Sequence, residues 1–272
     1  MRTSNLVSRV LGSLKVRGIW NHLRAVPLLG SVLHYLARRI LPPGPVWVVI
    51  QGGPLRGKRF LCDPRFHLGY IRGDHEPWMV EWLKNFLYPG GTFVDVGAHI
   101  GYFTLIAADI VGPKGRVIAF EPAPRNASIL MANVNSAGKG DMVEIVRAAV
   151  GAKSGTILFQ VVSGQDYCSR IAAEGECSET IVVVQCTLNE FDLPQGTVIK
   201  VDVEGAEVDV LQGATNHLED KKTTWIIEAH RPDLEQTILT ILRQYGYCPE
   251  VHAPVHPAYA DYRQHYVLAI GL

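Results

Sequence analysis

A mostly parallel, doubly wound α/β sheet is the fold that this 272-residue sequence predicts, and three observations predict it. Short apolar runs alternate with helical stretches from Phe93 to Val146 and again from Val198 to Tyr245. The first run, Phe93-Val94-Asp95-Val96, passes through Gly97-Ala98-His99-Ile100-Gly101 into an apolar stretch of helix. An acid, Glu121, ends the second run.

In chain order, Val46 to Ile50 and Lys58 to Cys62 flank Gly52-Gly53-Pro54 and predict a β-hairpin. Gly73-Asp74-His75-Glu76-Pro77 then leads into a helix from Trp78 to Leu87, closed by Pro89-Gly90-Gly91. The core follows as strand Phe93 to Val96, helix Tyr102 to Val111, strand Val117 to Phe120, helix Pro124 to Ser136 and strand Val143 to Val146. From Gly155 to Cys186 the rhythm changes to two β-rich runs, Thr156 to Val162 and Thr180 to Cys186, around a polar loop Ser163 to Glu179. That pattern predicts a hairpin inserted over an edge or mouth of the sheet. Strand Val198 to Val203, helix Ala206 to Leu218, strand Trp225 to Ile227, helix Pro232 to Tyr245 and a closing strand Tyr266 to Ile270 complete the chain.

The turn after the first strand carries the first chemical signal. A strand that reverses into a helix over so few residues needs backbone without a Cβ, for positive φ and for close approach of a ligand. The turn lacks the Gly-x-Gly-x-x-Gly spacing that closes amides on a pyrophosphate, and Asp95 stands just ahead of it. A cationic, phosphate-free nucleoside such as S-adenosyl-L-methionine suits that turn. Glu121, 24 residues after Gly97, is placed to accept hydrogen bonds from ribose hydroxyls. NAD would also use such an acid, so an NAD-dependent dehydrogenase or epimerase is the rival enzyme. The missing glycine spacing and the absence of a Tyr-x-x-x-Lys pair argue against it. A non-catalytic cofactor-binding scaffold is the third reading.

A second group of acids lies further on. Asp202 ends the run Val198-Ile199-Lys200-Val201, at the carboxyl edge where open α/β sheets bind ligands. Glu204 and Glu207 suit the first turn of a helix, where acids satisfy free amides, and Glu207 is read that way. The next strand delivers Glu228-Ala229-His230 to the same edge. Asp202, Glu204, Glu228 and His230 are therefore the candidate catalytic residues, with Asp202 and His230 as candidate bases toward an acceptor hydroxyl. Asp202, Glu204 and Glu228 also form a donor set for Mg²⁺, but acids beside a cofactor are more often hydrogen-bonded, and no metal is assigned.

The runs VDVGAHIGYFT, VIAFEP, IKVDVEGAEVDVLQGA and WIIEAH, with GDHEP upstream, resemble the FkbM-type S-adenosylmethionine-dependent methyltransferases over about residues 46 to 250. The resemblance implies a class I, Rossmann-like methyltransferase fold with an antiparallel last strand. It also implies O-methylation of a sugar, glycolipid or polyketide-like small molecule. The implied cofactor contacts are Glu76, Asp95, Gly97, His99, Gly101, Glu121, Pro122, Arg147, Ala148 and Asp202. Departures from the family pattern are His99 where Asn is common, Ala123 where Asn or Asp is common, and Asn189 where a Leu-Asp pair is usual.

Charge and cysteine content bound the partners. Residues 1–62 hold ten Lys or Arg and no acid, and the remaining chain holds 16 bases against 26 acids. An acidic body is a poor partner for nucleic acid, whose affinity comes from phosphate neutralisation. Five cysteines without a C-x-x-C pair fit a reduced, cytoplasmic setting. Residues 1–45 read as a basic amphipathic helical extension and 46–92 as a hairpin and helix leading in. The S-adenosylmethionine-binding catalytic domain is read as 93–272, with its β-rich insertion at about 155–186. Leu6, Val7, Val10, Leu11 and Leu14 recur at helical spacing, but no apolar run approaches the roughly 20 residues that cross a bilayer. Residues 1–40 are expected to contact an anionic membrane surface peripherally, or to pack as a lid or as the arm of a homodimer; a transit peptide is the weaker alternative.

Overall fold

The structure, a computed structural model, describes residues 41, 43–161, 170–171, 179–254 and 264–271. The basic segment 1–40 and most of the loop 163–179 lie outside these described residues. The predicted hairpin forms: β1 (Val46–Val49) and β2 (Arg59–Cys62) pair antiparallel with Val46 opposite Cys62. Two helices follow, α1 (Leu68–Arg72), which buries Leu68 and Ile71, and α2 (Pro77–Phe86), which buries Met79, Val80 and Leu83. Pro77 opens α2, where the missing N–H costs no helical bond.

The core elements are β3 (Thr92–Val96), α3 (Tyr102–Val111), β4 (Arg116–Phe120), α4 (Pro124–Ser136), β5 (Val143–Val146) and β6 (Ala149–Val150). β7 (Gly155–Val161), β8 (Arg170–Ile171) and β9 (Glu179–Cys186) come next. β10 (Val198–Val201), α5 (Glu207–Gln212), α6 (Thr215–Glu219), β11 (Thr224–Ala229), α7 (Pro232–Gln244), β12 (Glu250–His252) and β13 (His265–Ala269) finish the chain. The main sheet has the order β12-β13-β11-β10-β3-β4-β5. β11, β10, β3, β4 and β5 run parallel, and β13 enters antiparallel between β11 and β12. This is the class I methyltransferase arrangement, and it agrees with the predicted mostly parallel sheet with an antiparallel last strand.

Buried strands explain why the runs read as continuously apolar: every residue of β3, β10 and β11 is buried, because helices cover both faces. Two apolar clusters divide at the sheet, one holding Phe93, Ile106 and Val117, the other Val94, Ile118 and Ile199. Asn133 of α4, fully buried, ties the hairpin to this core. Its amide donates to the carbonyls of Leu61 and Ile100 at 3.1 and 2.9 Å, and its oxygen accepts from the Leu61 N–H.

Five elements differ from expectation. The helix predicted from Ala206 to Leu218 is two helices, α5 and α6, broken at Gly213. A Cβ there would fall 2.0 Å from the Gly151 carbonyl oxygen, so the chain turns where two backbones touch. None of α1, β6, β8 and β12 was expected. The inserted runs do pair, β7 against β9, within a second sheet of order β6-β9-β7-β8. Its inner face packs Phe159 and Val183 on Ala123 and Ala149.

Candidate active site

Local backbone geometry builds the site at the carboxyl ends of β3, β4, β10 and β11. Gly97 sits at φ 82° and its Cβ would lie 1.8 Å from the Asp202 carbonyl oxygen, so the turn after β3 closes directly on the end of β10. The Phe120 carbonyl accepts from the Gly97 and Ala98 amides, and the Asp202 amide donates to the Val96 carbonyl at 3.0 Å. A cavity of about 540 Å³ opens above these ends.

Of the sequence-predicted residues, Glu76, Gly97, His99, Glu121, Pro122, Ala148, Asp202, Glu204, Glu228 and His230 line this cavity. Asp95, Gly101 and Arg147 do not. Asp95 is buried behind the wall, accepting from the Thr104 hydroxyl at 2.7 Å and facing the Lys200 ammonium at 3.3 Å. Gly101 starts α3 against Leu130, and Arg147 is exposed on the surface. The insertion reaches the cavity through Phe159.

Glu121 is buried in the cavity wall. It accepts from the His99 amide at 2.8 Å and the Ala123 amide at 2.9 Å. Burial pushes its carboxyl up to about 7, against the pull of those amides. The Asn126 side chain bonds it as well, so with about four acceptor sites on a carboxylate it retains capacity for one more donor.

Beside Asp202, six carboxylates gather around the Lys200 ammonium and the His230 imidazole. Lys200, on β10 opposite Asp95 of β3, is buried with its Nζ 3.3 Å from Asp95 Oδ1, Asp202 Oδ2 and the Gly97 carbonyl. Burial disfavours its charge, but Asp202 and Asp95 outweigh that and raise its pKa. His230 Nδ1 donates to Glu207 Oε1 at 2.7 Å, while Nε2 faces Glu204 at 3.5 Å, Asp202 at 3.6 Å and Glu228 at 4.0 Å. Burial would lower this imidazole, yet the Glu207 bond and the Asp202, Glu228 and Glu204 charges raise it to about 10. Glu76 and Glu228 meet through shared donors: the Tyr266 hydroxyl at 3.0 and 3.3 Å, and the Gln264 amide at 3.3 and 3.0 Å. Burial, Asp202 and Glu76 drive Glu228 well above the usual carboxylate range. Glu76, which burial alone would also raise, is held low by His75 and Lys200.

The lead-in segment supplies an aromatic wall that the sequence reading did not find. His67 stacks on Tyr70 at 5.1 Å, Tyr70 stacks on Tyr102 at 4.5 Å, and His75 meets the edge of Tyr70 at 4.5 Å. All four line the cavity.

The family model for the methyltransferase FkbM domain matches residues 95–249, more than half of the chain. The chain belongs to the FkbM methyltransferase family. S-adenosylmethionine is accordingly its cofactor, and the NAD reading has no counterpart in the match. Among its relatives, a hexuronic acid methyltransferase of Haloferax volcanii is 31% identical over 137 residues, covering 50% of this chain and 54% of that protein. A protein-L-isoaspartate O-methyltransferase of Triticum aestivum is 35% identical over 107 residues, covering 38% of this chain and 43% of that protein. The chain thus spans about half the length of these relatives. A solved FkbM methyltransferase from Methylobacillus flagellatus is 19% identical with a TM-score of 0.47, covering 74% of this chain and 52% of that one.

For an FkbM-family protein, the residues missed in the sequence are instructive. Lys200 was hidden inside an apolar strand run. Glu207 was read as a helix-start acid, and it does accept from the Gly205 amide at 2.9 Å, but its second role toward His230 depends on a strand 23 residues away. Tyr266 and Gln264 hold Glu76 and Glu228 from the last strand region, far from either in sequence. Among the described residues no helix is long and apolar enough to cross a membrane.

Proposed function

We propose that the protein transfers the methyl group of S-adenosylmethionine to a hydroxyl of a small sugar-like or glycolipid acceptor. The observation that carries this is that one cavity is lined by Glu121 and the Gly97 turn and also by Asp202, Glu204 and His230. In this reading the Glu121 carboxylate accepts a ribose hydroxyl and the sulfonium lies over Asp202. The acceptor oxygen attacks the methyl carbon in line as the C–S bond breaks, and a neutral thioether leaves. The hydroxyl proton passes to the Asp202 carboxylate. Alignment of oxygen, methyl and sulfur contributes up to roughly 7 to 11 kcal/mol in favourable systems, and a base adds about 10²- to 10⁴-fold.

The carboxylate field around His230 supports a hydroxyl acceptor over a carboxylate one, because a second anion beside Asp202 and Glu204 would meet like charge in a poorly solvated site. The hexuronic acid methyltransferase relative and the Tyr70 face beside the cavity support a sugar ring. Transfer of label from methyl-labelled cofactor to a panel of neutral glycosides and the matching uronic acids tests the reading. Base-stable label, the mark of a methyl ether on a ring hydroxyl, is expected. Label found only on the acids as a base-labile methyl ester would overturn the hydroxyl assignment, and no transfer to any acceptor or extract would leave a cofactor-binding scaffold.

A further inference from the structure

We infer that Tyr266 is a positioning residue for methyl transfer: its single hydroxyl hydrogen, set between Glu76 and Glu228, keeps Glu76 ionised and leaves a proton on Glu228. The three groups come from distant parts of the chain. Glu76 precedes α2 in the lead-in segment, Glu228 lies on β11, and Tyr266 lies directly opposite Glu228 on the antiparallel β13. Their exposures are 6% for Glu76, 8% for Glu228 and 0% for Tyr266. Glu76 and Glu228 line the cavity, and Tyr266 acts on it through them.

The hydrogen count decides the arrangement. The Tyr266 hydroxyl lies 3.0 Å from Glu76 Oε2 and 3.3 Å from Glu228 Oε2. A phenol donates one hydrogen bond and accepts others. The Trp78 N–H also bonds this oxygen, but it brings its own hydrogen and leaves the count unchanged. One carboxyl therefore accepts from Tyr266, and the other bonds to it only by donating a proton. Two ionised carboxylates here would be bridged by neutral groups alone, since the second bridge is the Gln264 amide, 3.3 Å from Glu76 Oε1 and 3.0 Å from Glu228 Oε1. Surrounding charge selects the ionised member. His75 Nε2 is 3.1 Å from Glu76 Oε1, and Lys200 favours the same anion. Glu228 instead faces the carboxylates of Asp202 and Glu76. The cations near Glu228 are already engaged, His230 by Glu207 and Lys200 by Asp95 and Asp202.

Backbone strain marks the same contact. Glu76 sits at φ 39°, ψ 67°, a left-handed conformation that a glutamate rarely adopts, and its side chain does not cap α2. Such a conformation persists where its surroundings over-determine it, as His75, Gln264 and Tyr266 do here. Fixing Glu76 fixes the turn from which His75 meets Tyr70, and so holds the aromatic wall at the cavity. A neutral Glu228 also spares Asp202 a second anion, so Asp202 stays ionised to take the acceptor proton.

The role in methyl transfer rests on the reading above, but the proton on Glu228 does not, and the two are measured separately. Infrared spectra of the full-length protein report a protonated carboxylic acid by its carbonyl band, read at about pH 8.5 so that Glu121, raised only to about 7, is ionised. A band lost in Glu228→Gln and displaced in Tyr266→Phe, which removes the hydroxyl alone, is expected. The pH profile of kcat with a neutral glycoside is the second readout. In Tyr266→Phe the proton is held less firmly on Glu228, more negative charge faces Asp202, and the acid limb should move up by about 0.5 to 1 pH unit. Absence of the band from the wild type would overturn the proton assignment, a result that does not depend on the folding of any variant. A band or an acid limb unmoved in Tyr266→Phe would reduce Tyr266 to a packing residue. The expected infrared result without transfer to any acceptor would sink the methyl-transfer reading and leave the proton on Glu228.

Discussion

Glu207 Oε1 accepts from His230 Nδ1 at 2.7 Å, so the imidazole's orientation at the cavity edge is set by a carboxylate with no solvent exposure. Replacing Glu207 by Ala removes the clamp and frees the ring to rotate. Misplacement of a site group by about 1 Å can cost on the order of 10²-fold. The expected result is a kcat lower by about 10- to 100-fold, with Glu207→Gln recovering part of the loss and cofactor affinity unchanged in both. Steady-state kinetics with circular dichroism as the folding control decides it. Full activity in Glu207→Ala would make the bond merely structural.

Glu121 gives cofactor affinity a pH dependence. Burial raises its carboxyl to about 7, so the group is protonated below that pH and ionised above it. Only the ionised form keeps its remaining acceptor site free of its own proton for a ribose hydroxyl. Affinity is therefore expected to fall as pH drops from 8 to 6, with a midpoint near 7, and to be flat in Glu121→Gln. Glu121→Ala should weaken binding by about 1 to 3 kcal/mol. Calorimetry across that pH range is the check, and a wild-type profile as flat as the variant's would remove the carboxylate from the ribose.

Lys200 holds two carboxylates from one buried position. Lys200→Met leaves Asp95, 1% exposed, without its cation, and loss of one partner of a buried pair costs about 3 to 5 kcal/mol. Chemical denaturation should show a loss of that order, and stability equal to wild type would mean that Asp95 is held by Thr104 alone.

Gly97→Ala tests the closure of the turn on β10. A methyl group 1.8 Å from the Asp202 carbonyl, at φ 82°, cannot be accommodated without moving one strand end. A lowered melting temperature together with weaker cofactor binding is expected. A variant unchanged in both would show that the contact yields freely.

Much of the sheet was readable because β3, β4, β10 and β11 are buried on both faces and appear as apolar runs. α1, five residues long, and β12, three residues long, leave too short a period to read. The break at Gly213 is set by a contact with Gly151, 62 residues away, which no local pattern reports. In the site, Asp202, Glu228 and His230 were legible because each stands where a strand ends and a ligand can reach. Asp95 stands one pleat too deep, so its side chain faces Lys200 and Thr104 instead of the cavity. Tyr70 and His67 reach the same cavity from an approach segment with no periodicity to mark it.

Methyl transfer assisted at Asp202 is measured most directly by single-turnover label transfer from prebound S-adenosylmethionine to a neutral hydroxyl acceptor, comparing wild type, Asp202→Asn and His230→Ala. Asn keeps size and part of the hydrogen bonding while removing the charge. The expected result is a transfer rate at least about 10²-fold lower in Asp202→Asn with cofactor affinity little changed. Near wild-type transfer in Asp202→Asn, with the loss appearing in His230→Ala, would contradict it and move the base role to the imidazole.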